Sequence, residues 1–364
     1  MTIEFKTNKN VYILGAGFSV PAGIPTIDNF FDKTKEVLNS LDPNKDKRAF
    51  EAIKTLLELR FQSAAAAYWT KTNLDNIEEL FSFISAIDEG YSLVNSVVDS
   101  IAITIEKLKS EPGNFGNKIY LEDFILNQKY QKFRRLDERA YAYLDFNNYQ
   151  RIVASLLGNI YATDDDAENA FITFNYDTVL EETLNSLEID YSYYLGKVSY
   201  ETINTNYNES VSLLKLHGSV NWGFPGTRGS KLTIYKNSSE CFQKSKSIAI
   251  IPPTWNKHID GQTEKVWQQA VKELKTATRI IIIGFSFPET DNHVKYLLSA
   301  GLKDNISLRN VLFINPMEEN EAKRKLSKVF SDSLFINDKV LISRTKIENF
   351  IDKQENLKLI NRAS

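Results

Sequence analysis

The sequence predicts an α/β fold with a doubly wound parallel sheet, and three observations lead to it. The first is a series of short apolar runs: Val11–Leu14, Phe171–Phe174, Leu213–Leu216, Ile248–Ile251, Ile280–Ile283 and Val311–Ile314. They are strand-length, largely apolar and lack polar alternation, as expected of strands covered on both faces. The second is that each run ends in a polar or glycine-containing turn, and such sheets gather functional residues at the carboxyl ends of their strands. The third is helical periodicity in the long stretch between the first two runs, carried by Leu74, Ile77, Phe81 and Ile84 and again by Val94, Val97, Val98, Ile101, Ile105 and Leu108.

Taken in order, the first strand breaks at Gly15-Ala16-Gly17 and is expected to enter a helix near Ser19. A strand that passes through a glycine turn into a helix N-terminus offers backbone N–H groups to an anion, so the turn is expected to hold a pyrophosphate. The spacing is not G-x-G-x-x-G, because Val20 stands at the third position and the next glycine is Gly23. Residues 28–165 are expected to form a helical insertion, with Asn73 and Ser92 as N-caps. Within it, Ala64–Ala67 followed by Tyr68 and Trp69 reads as a tight, buried helix contact. Residues 220–247 carry Gly, Asn and Ser around Leu232–Tyr235 and read as a small hairpin or loop insert. The tail from Thr345 to about Arg362 reads as an amphipathic helix. Glycine and proline are sparse and no stretch resembles a linker or a repeat, so residues 1–364 are expected to form one domain.

Composition narrows the function classes. The 44 Lys and Arg nearly cancel the 47 Asp and Glu, so no strongly electropositive nucleic-acid surface is indicated. A single cysteine, Cys241, excludes an intramolecular disulfide and a cysteine-rich zinc site. No segment reads as a signal peptide or a membrane span, and a reducing cytoplasm is the expected setting. Asp164-Asp165-Asp166 reads as a solvated loop, since three consecutive carboxylates cannot all face one ion. Trp222 and Trp255 read as packing residues, and His258 as loop surface.

Five polar strand ends follow one another along the chain: Gly15-Ala16-Gly17, Asn175-Tyr176-Asp177, His217-Gly218-Ser219, Gly284-Phe285-Ser286 and Asn315-Pro316. In this order they resemble the sirtuin family. The first string matches its GAGxSxxxGIP motif at Gly15, Ala16, Gly17, Ser19, Gly23, Ile24 and Pro25. Asn175 and Asp177 match the Asn and Asp of its QNxD motif, with Phe174 at the Gln. His217-Gly218 matches its HG pair, and Gly284 and Ser286 resemble its ribose-holding turn. The wording of TFNYD, LHGSVNW and IGFSFPETD is most similar to the bacterial sirtuin-like branch used in antiphage defence.

The resemblance implies a Rossmann-like sheet and NAD⁺ as substrate. It implies Asn175, Asp177 and His217 as catalytic residues. Gly15, Ala16, Gly17, Ser19, Gly23, Ile24, Pro25, Thr26, Gly218, Gly284, Phe285, Ser286, His293 and Asn315 would surround the dinucleotide. The sequence departs from the deacetylases in two places. Thr26, Ile27 and Asp28 replace their acidic, Phe and Arg residues. The aromatic shield over nicotinamide is then either missing or supplied from elsewhere, with Phe18 and Phe30 as the candidates. The four zinc cysteines are absent, so no metal is expected. These departures favour an NAD⁺ glycohydrolase over a zinc-less deacylase, an ADP-ribosyltransferase or a non-catalytic NAD-binding scaffold. The same resemblance implies a homo-oligomer and a defence partner, a HerA-type ATPase ahead of a short Argonaute-like protein.

Overall fold

A computed structural model describes residues 8–88, 92–109, 148–158, 168–195, 198–200, 210–226, 230–250, 263–287 and 292–361. The chain opens with β1 (Lys9–Leu14), then α1 (Ala16–Ser19), α2 (Phe30–Ser40), α3 (Lys47–Gln62), α4 (Ala64–Trp69), α5 (Ile77–Ile87), α6 (Ser92–Leu108) and α7 (Asn148–Leu156). The middle carries β2 (Glu168–Thr173), α8 (Val179–Ser186), β3 (Tyr191–Ser192), β4 (Ser199–Tyr200), β5 (Val211–Lys215), β6 (Gly218–Phe224), β7 (Thr233–Ile234), α9 (Ser238–Lys244) and β8 (Ser247–Ile250). The last part holds α10 (Glu264–Lys275), β9 (Arg279–Ile283), α11 (Asn292–Leu302), β10 (Asn310–Ile314) and α12 (Glu319–Ser327). It closes with α13 (Asp332–Ile336), β11 (Val340–Ser343), α14 (Ile347–Ile351) and α15 (Gln354–Asn361).

Seven strands form one sheet in the order β11-β10-β9-β1-β2-β5-β3, and every pair in it is parallel. Five consecutive residues of β9 and of β1 are buried, which requires cover on both faces of the sheet. Tyr12 of β1 pairs in register with Phe171 of β2, and their rings stack at 5.0 Å. The winding reverses at β1, which lies between β2 on one side and β9 on the other. In open α/β sheets the crevice beyond the carboxyl ends at such a switch point is the ligand site.

The run at Ile248–Ile251 does not join this sheet. Its residues 247–250 form β8, which pairs antiparallel with β6 in a separate four-stranded sheet of order β4-β7-β6-β8. An apolar run shows that a strand is buried, not which neighbours bury it. Two strands outside the expected set, β3 and β11, form the two edges of the sheet, and all four residues of β11 are only half-buried. The tail divides into α14 and α15 instead of one helix.

Helices α2 to α6 occupy the stretch after β1. Their apolar faces meet the same core as the sheet through Phe30, Leu56, Ile77, Phe81, Ile101 and Ile105. The N-cap of α5 is Asn76, whose Oδ1 accepts from the Glu78 and Glu79 amides, and not Asn73. Asn73 instead closes the preceding turn by accepting from Asp75 N–H. Tyr68 and Trp69 are about four-fifths exposed, so they do not form the buried contact expected of them. Arg48 ties this region to the small sheet. It pairs with the buried Asp99 of α6 and donates to the carbonyls of Phe242 and Ser245.

Candidate active site

A cavity of about 730 Å³ lies at the switch point, within the roughly 300–1,000 Å³ range of small-molecule sites. Strand after strand contributes to its wall: Ala16 and Gly17 beyond β1, Phe174 to Asp177 beyond β2, and His217 beyond β5. Gly284 to Ser286 follow β9, Asn315 follows β10, and Thr345 to Glu348 follow β11. The opposite wall comes from α5 and α6, through Ile77, Phe81, Ile101 and Ile105, none of which motif reasoning marks as functional. Their helical spacing carries only a burial signal, and what they face is set by tertiary packing.

The glycines after β1 have a packing role that the sequence does not disclose. Gly15 N–H donates to the carbonyl of Ile283 and Gly17 N–H to that of Gly284, at 3.0 and 2.9 Å. Phe18 N–H turns back to the carbonyl of Gly15. These amides are spent within the protein and are not presented to an anion. A Cβ on Gly15 would lie 2.4 Å from the Cα of Phe285, and one on Gly17 would lie 2.9 Å from the Cα of Gly284. Gly284 itself has φ +61°, and its added Cβ would lie 2.5 Å from the Phe18 nitrogen. The glycines therefore let the turn after β1 lie backbone to backbone on the turn after β9. The helix that follows spans only four residues before a 3-10 turn at Val20–Ala22 that ends at Gly23, with φ 87°.

Tyr149 of α7 fastens that short turn. Its hydroxyl donates to the Phe18 carbonyl at 2.7 Å and accepts from Ala22 N–H at 3.2 Å, while its ring packs edge-on against Phe18. Burial, with the Asp177 carboxylate adding to it, drives the Tyr149 phenol far above its ordinary range, so it stays protonated. Phe18 is thus a core residue away from the cavity, whereas Phe30 does line it.

Asn175 is held by its own amide. Nδ2 donates to the Gly15 carbonyl at 2.9 Å and to Ser19 Oγ at 3.1 Å. A carbonyl only accepts, so the nitrogen must face Gly15. Asp177 also lines the cavity, and its Oδ1 accepts from Val179 N–H at the start of α8. His217 is buried between aromatic rings, with Phe174 edge-on at 5.1 Å and Tyr176 tilted at 6.2 Å. Asn315 donates to the Phe285 carbonyl and accepts from Met317 N–H.

Asn175, Asp177 and His217 therefore share one cavity with Ala16, Gly17, Ile24, Pro25, Thr26, Gly284, Phe285, Ser286 and Asn315. Five other expected site residues, Gly15, Ser19, Gly23, Gly218 and His293, do not line it. Ser19 closes α1 instead of opening it, and is buried as an acceptor for Asn175. Gly218, with φ +80°, presses against the carbonyl of Ala249. The His293 ring lies 6.2 Å from that of Trp267. Trp222 is fully buried against Tyr193. Trp255, His258 and Asp164–Asp166 lie outside the described residues. Among the described residues, no group of three or more His, Cys, Asp or Glu is placed to hold a metal ion. None of the described helices is long and apolar enough to cross a membrane.

No curated protein matches the sequence. Solved structures similar to the chain include a Sir2 homolog–NAD complex, at 14% identity over 98% of this chain and 90% of that one, with a TM-score of 0.41. Sir2 bound to an acetylated peptide is similar at 13% identity over 95% and 92%, with a TM-score of 0.39. Residues 169–336 match the family model of the SIR2-like domain, a span that starts in β2 and leaves the Gly15–Pro25 string outside it.

Proposed function

We propose that the cavity is an NAD⁺ site and that the chain is an NAD⁺ glycohydrolase. The observation that carries this reading is the convergence of Asn175, Asp177 and His217 on one cavity at the sheet's switch point, beside Gly284, Ser286 and Asn315. The SIR2-like match over residues 169–336 includes all of these positions and supports it.

In the proposed reaction the bond between the nicotinamide nitrogen and ribose C1′ breaks, and its electron pair stays on the ring nitrogen, which leaves as neutral nicotinamide. Water oxygen bonds to C1′, and its proton passes to the His217 imidazole and then to solvent. NAD⁺ and water thus give nicotinamide, ADP-ribose and a proton. Both N–H groups of Asn175 are engaged by Gly15 and Ser19, so its Oδ1 is the group left to orient a water or a ribose hydroxyl. Asp177 orients the nicotinamide carboxamide. Phe30, Ile77 and Phe81 exclude bulk water from the reacting end.

In this reading the activity depletes NAD⁺ in antiphage defence. The chain would act as one sirtuin-like domain in a homo-oligomer, controlled by a HerA-type ATPase or another defence partner. Its support is the resemblance of TFNYD, LHGSVNW and IGFSFPETD to that branch.

The test incubates the purified full chain with NAD⁺ and separates the products by chromatography, with and without an acylated peptide and with and without the protein encoded beside it. Nicotinamide and ADP-ribose without any peptide are expected, and His217→Ala should lower the rate by about 10²–10⁴ if the imidazole handles the proton. Strict dependence on the peptide would replace hydrolysis with deacylation. ADP-ribose binding without turnover under every condition would leave a binding scaffold.

A further inference from the structure

Beneath the cavity lies a charged cluster for which the reaction above has no use. Lys215, the last residue of β5, is 1% exposed, and Glu181 of α8 is 3% exposed. Lys215 Nζ donates to Glu181 Oε1 at 2.7 Å, and the same carboxylate oxygen accepts from the buried Tyr193 hydroxyl at 3.0 Å. A buried ion pair of this kind is a poor source of stability, because desolvating both charges offsets their attraction. Burial raises the Glu181 carboxyl above its ordinary value even with the Lys215 ammonium pulling it down.

What Lys215 does locally is hold backbone. Its ammonium donates to the Asp177 carbonyl and reaches the Tyr176 carbonyl at 3.5 Å. The Tyr176 carbonyl also accepts from Val220 N–H at 3.0 Å and from Ser219 Oγ at 3.2 Å. Three donors from the segment that carries His217 thus converge on the segment that carries Asn175 and Asp177. Strand pairing ends at Thr173–Lys215, and the last ladder-like bond runs from Leu216 N–H to the Thr173 carbonyl. Beyond that point these side-chain and turn contacts set the spacing of the two segments.

We propose that Lys215 is a positioning residue. Held by Glu181, its ammonium clamps the Tyr176 and Asp177 carbonyls and so keeps Asn175 and Asp177 facing the same cavity as His217. The kinetic arm of the test rests on the NAD⁺ reading of that cavity, and the exchange arm does not.

The experiment compares the full-length wild type with K215M/E181M/Y193F, which replaces the whole polar cluster with apolar groups of similar size. Such replacements of buried ion pairs are often neutral for stability, so the loss is confined to the Asp177 carbonyl, which keeps no ammonium donor. Hydrogen–deuterium exchange should rise about tenfold or more in residues 174–179 while β1, β9 and β10 keep their protection. kcat for nicotinamide release should fall by about tenfold or more, with ADP-ribose affinity and KM little changed. Unchanged exchange in 174–179, or wild-type kcat in the folded variant, overturns the proposal. A parallel loss of exchange protection across the whole sheet also overturns it, since that marks a purely structural role. If the triple variant does not fold, K215M/E181Q, which keeps an acceptor for Tyr193, takes its place with the same expected results and the same overturning ones. A wild type that releases no nicotinamide counts against the glycohydrolase reading alone, because the exchange arm still decides the clamp.

Discussion

Replacing Gly284 with alanine tests what the glycines around the cavity are for. If they admit a ligand, G284A should weaken ligand binding and leave the fold intact. The structure requires the opposite order of effects. Gly284 sits at φ +61°, and a left-handed non-glycine residue costs roughly 1–2 kcal/mol. Its new Cβ would lie 2.5 Å from the Phe18 nitrogen and 2.6 Å from the Gly17 carbonyl carbon, both backbone atoms that cannot rotate away. Forcing a methyl into a packed site of this kind costs about 1–3 kcal/mol. Moving the two turns apart also stretches the 2.9 Å bond from Gly17 N–H to the Gly284 carbonyl. The expected destabilisation is therefore roughly 2–5 kcal/mol. At an m-value of about 3 kcal/mol/M, it would lower the urea midpoint by about 0.7–1.7 M. Urea unfolding followed by tryptophan fluorescence reads the midpoint, and titration with ADP-ribose below the transition reads the site. A midpoint that does not move, together with lost ADP-ribose binding, would refute the backbone-contact argument and restore the ligand-approach one.

Tyr149→Phe keeps the ring against Phe18 but strands the Ala22 N–H and the Phe18 carbonyl, and should cost about 1–3 kcal/mol in urea unfolding. Arg48→Ala leaves the buried Asp99 carboxylate without its partner and should cost roughly 3–5 kcal/mol, whereas Arg48→Ala with Asp99→Ala should recover part of that loss in a double-mutant cycle. Burial pushes the Cys241 thiol up to about 12, so it should resist a disulfide reagent at pH 8 in the native protein and react at once in urea; rapid native labelling would contradict its placement.

How far the sequence discloses this arrangement depends on the range of the forces involved. Strand residues such as Ile280–Ile283 declare themselves because burial on both faces demands an unbroken apolar run, a local requirement. Membership of a sheet is not local: Ile248 and Ile280 look alike in sequence, yet one lies in an antiparallel ribbon and the other beside β1. The candidate site divides in the same way. Asn175, Asp177 and His217 stand out because polar groups at the ends of apolar strands are costly to leave without a purpose, and the structure brings them to one cavity. The wall from α5 and α6 is silent in sequence, since Phe81 and Ile101 have the same spacing whether they face a ligand or a core.

The glycine turn shows most clearly where reasoning from a motif stops. Gly15 and Gly17 announce that some backbone must come close, and nothing in the string states whether that backbone belongs to a ligand or to the protein. Here Gly284, more than 260 residues further on, supplies the approaching chain. The consequence reaches Asn175. Its amide is anchored on the Gly15 carbonyl, whose position is fixed by the bond from Gly15 N–H to Ile283. Asn175→Asp separates these roles: it preserves size and an acceptor toward the cavity but sets a carboxylate oxygen against the Gly15 carbonyl in place of a donor. If anchoring governs the site, N175D should lose nicotinamide release by at least about 10²-fold, as N175A does, while ADP-ribose still binds. If the acceptor facing the cavity were sufficient, N175D would keep most of its rate where N175A does not, and the anchoring argument would fail.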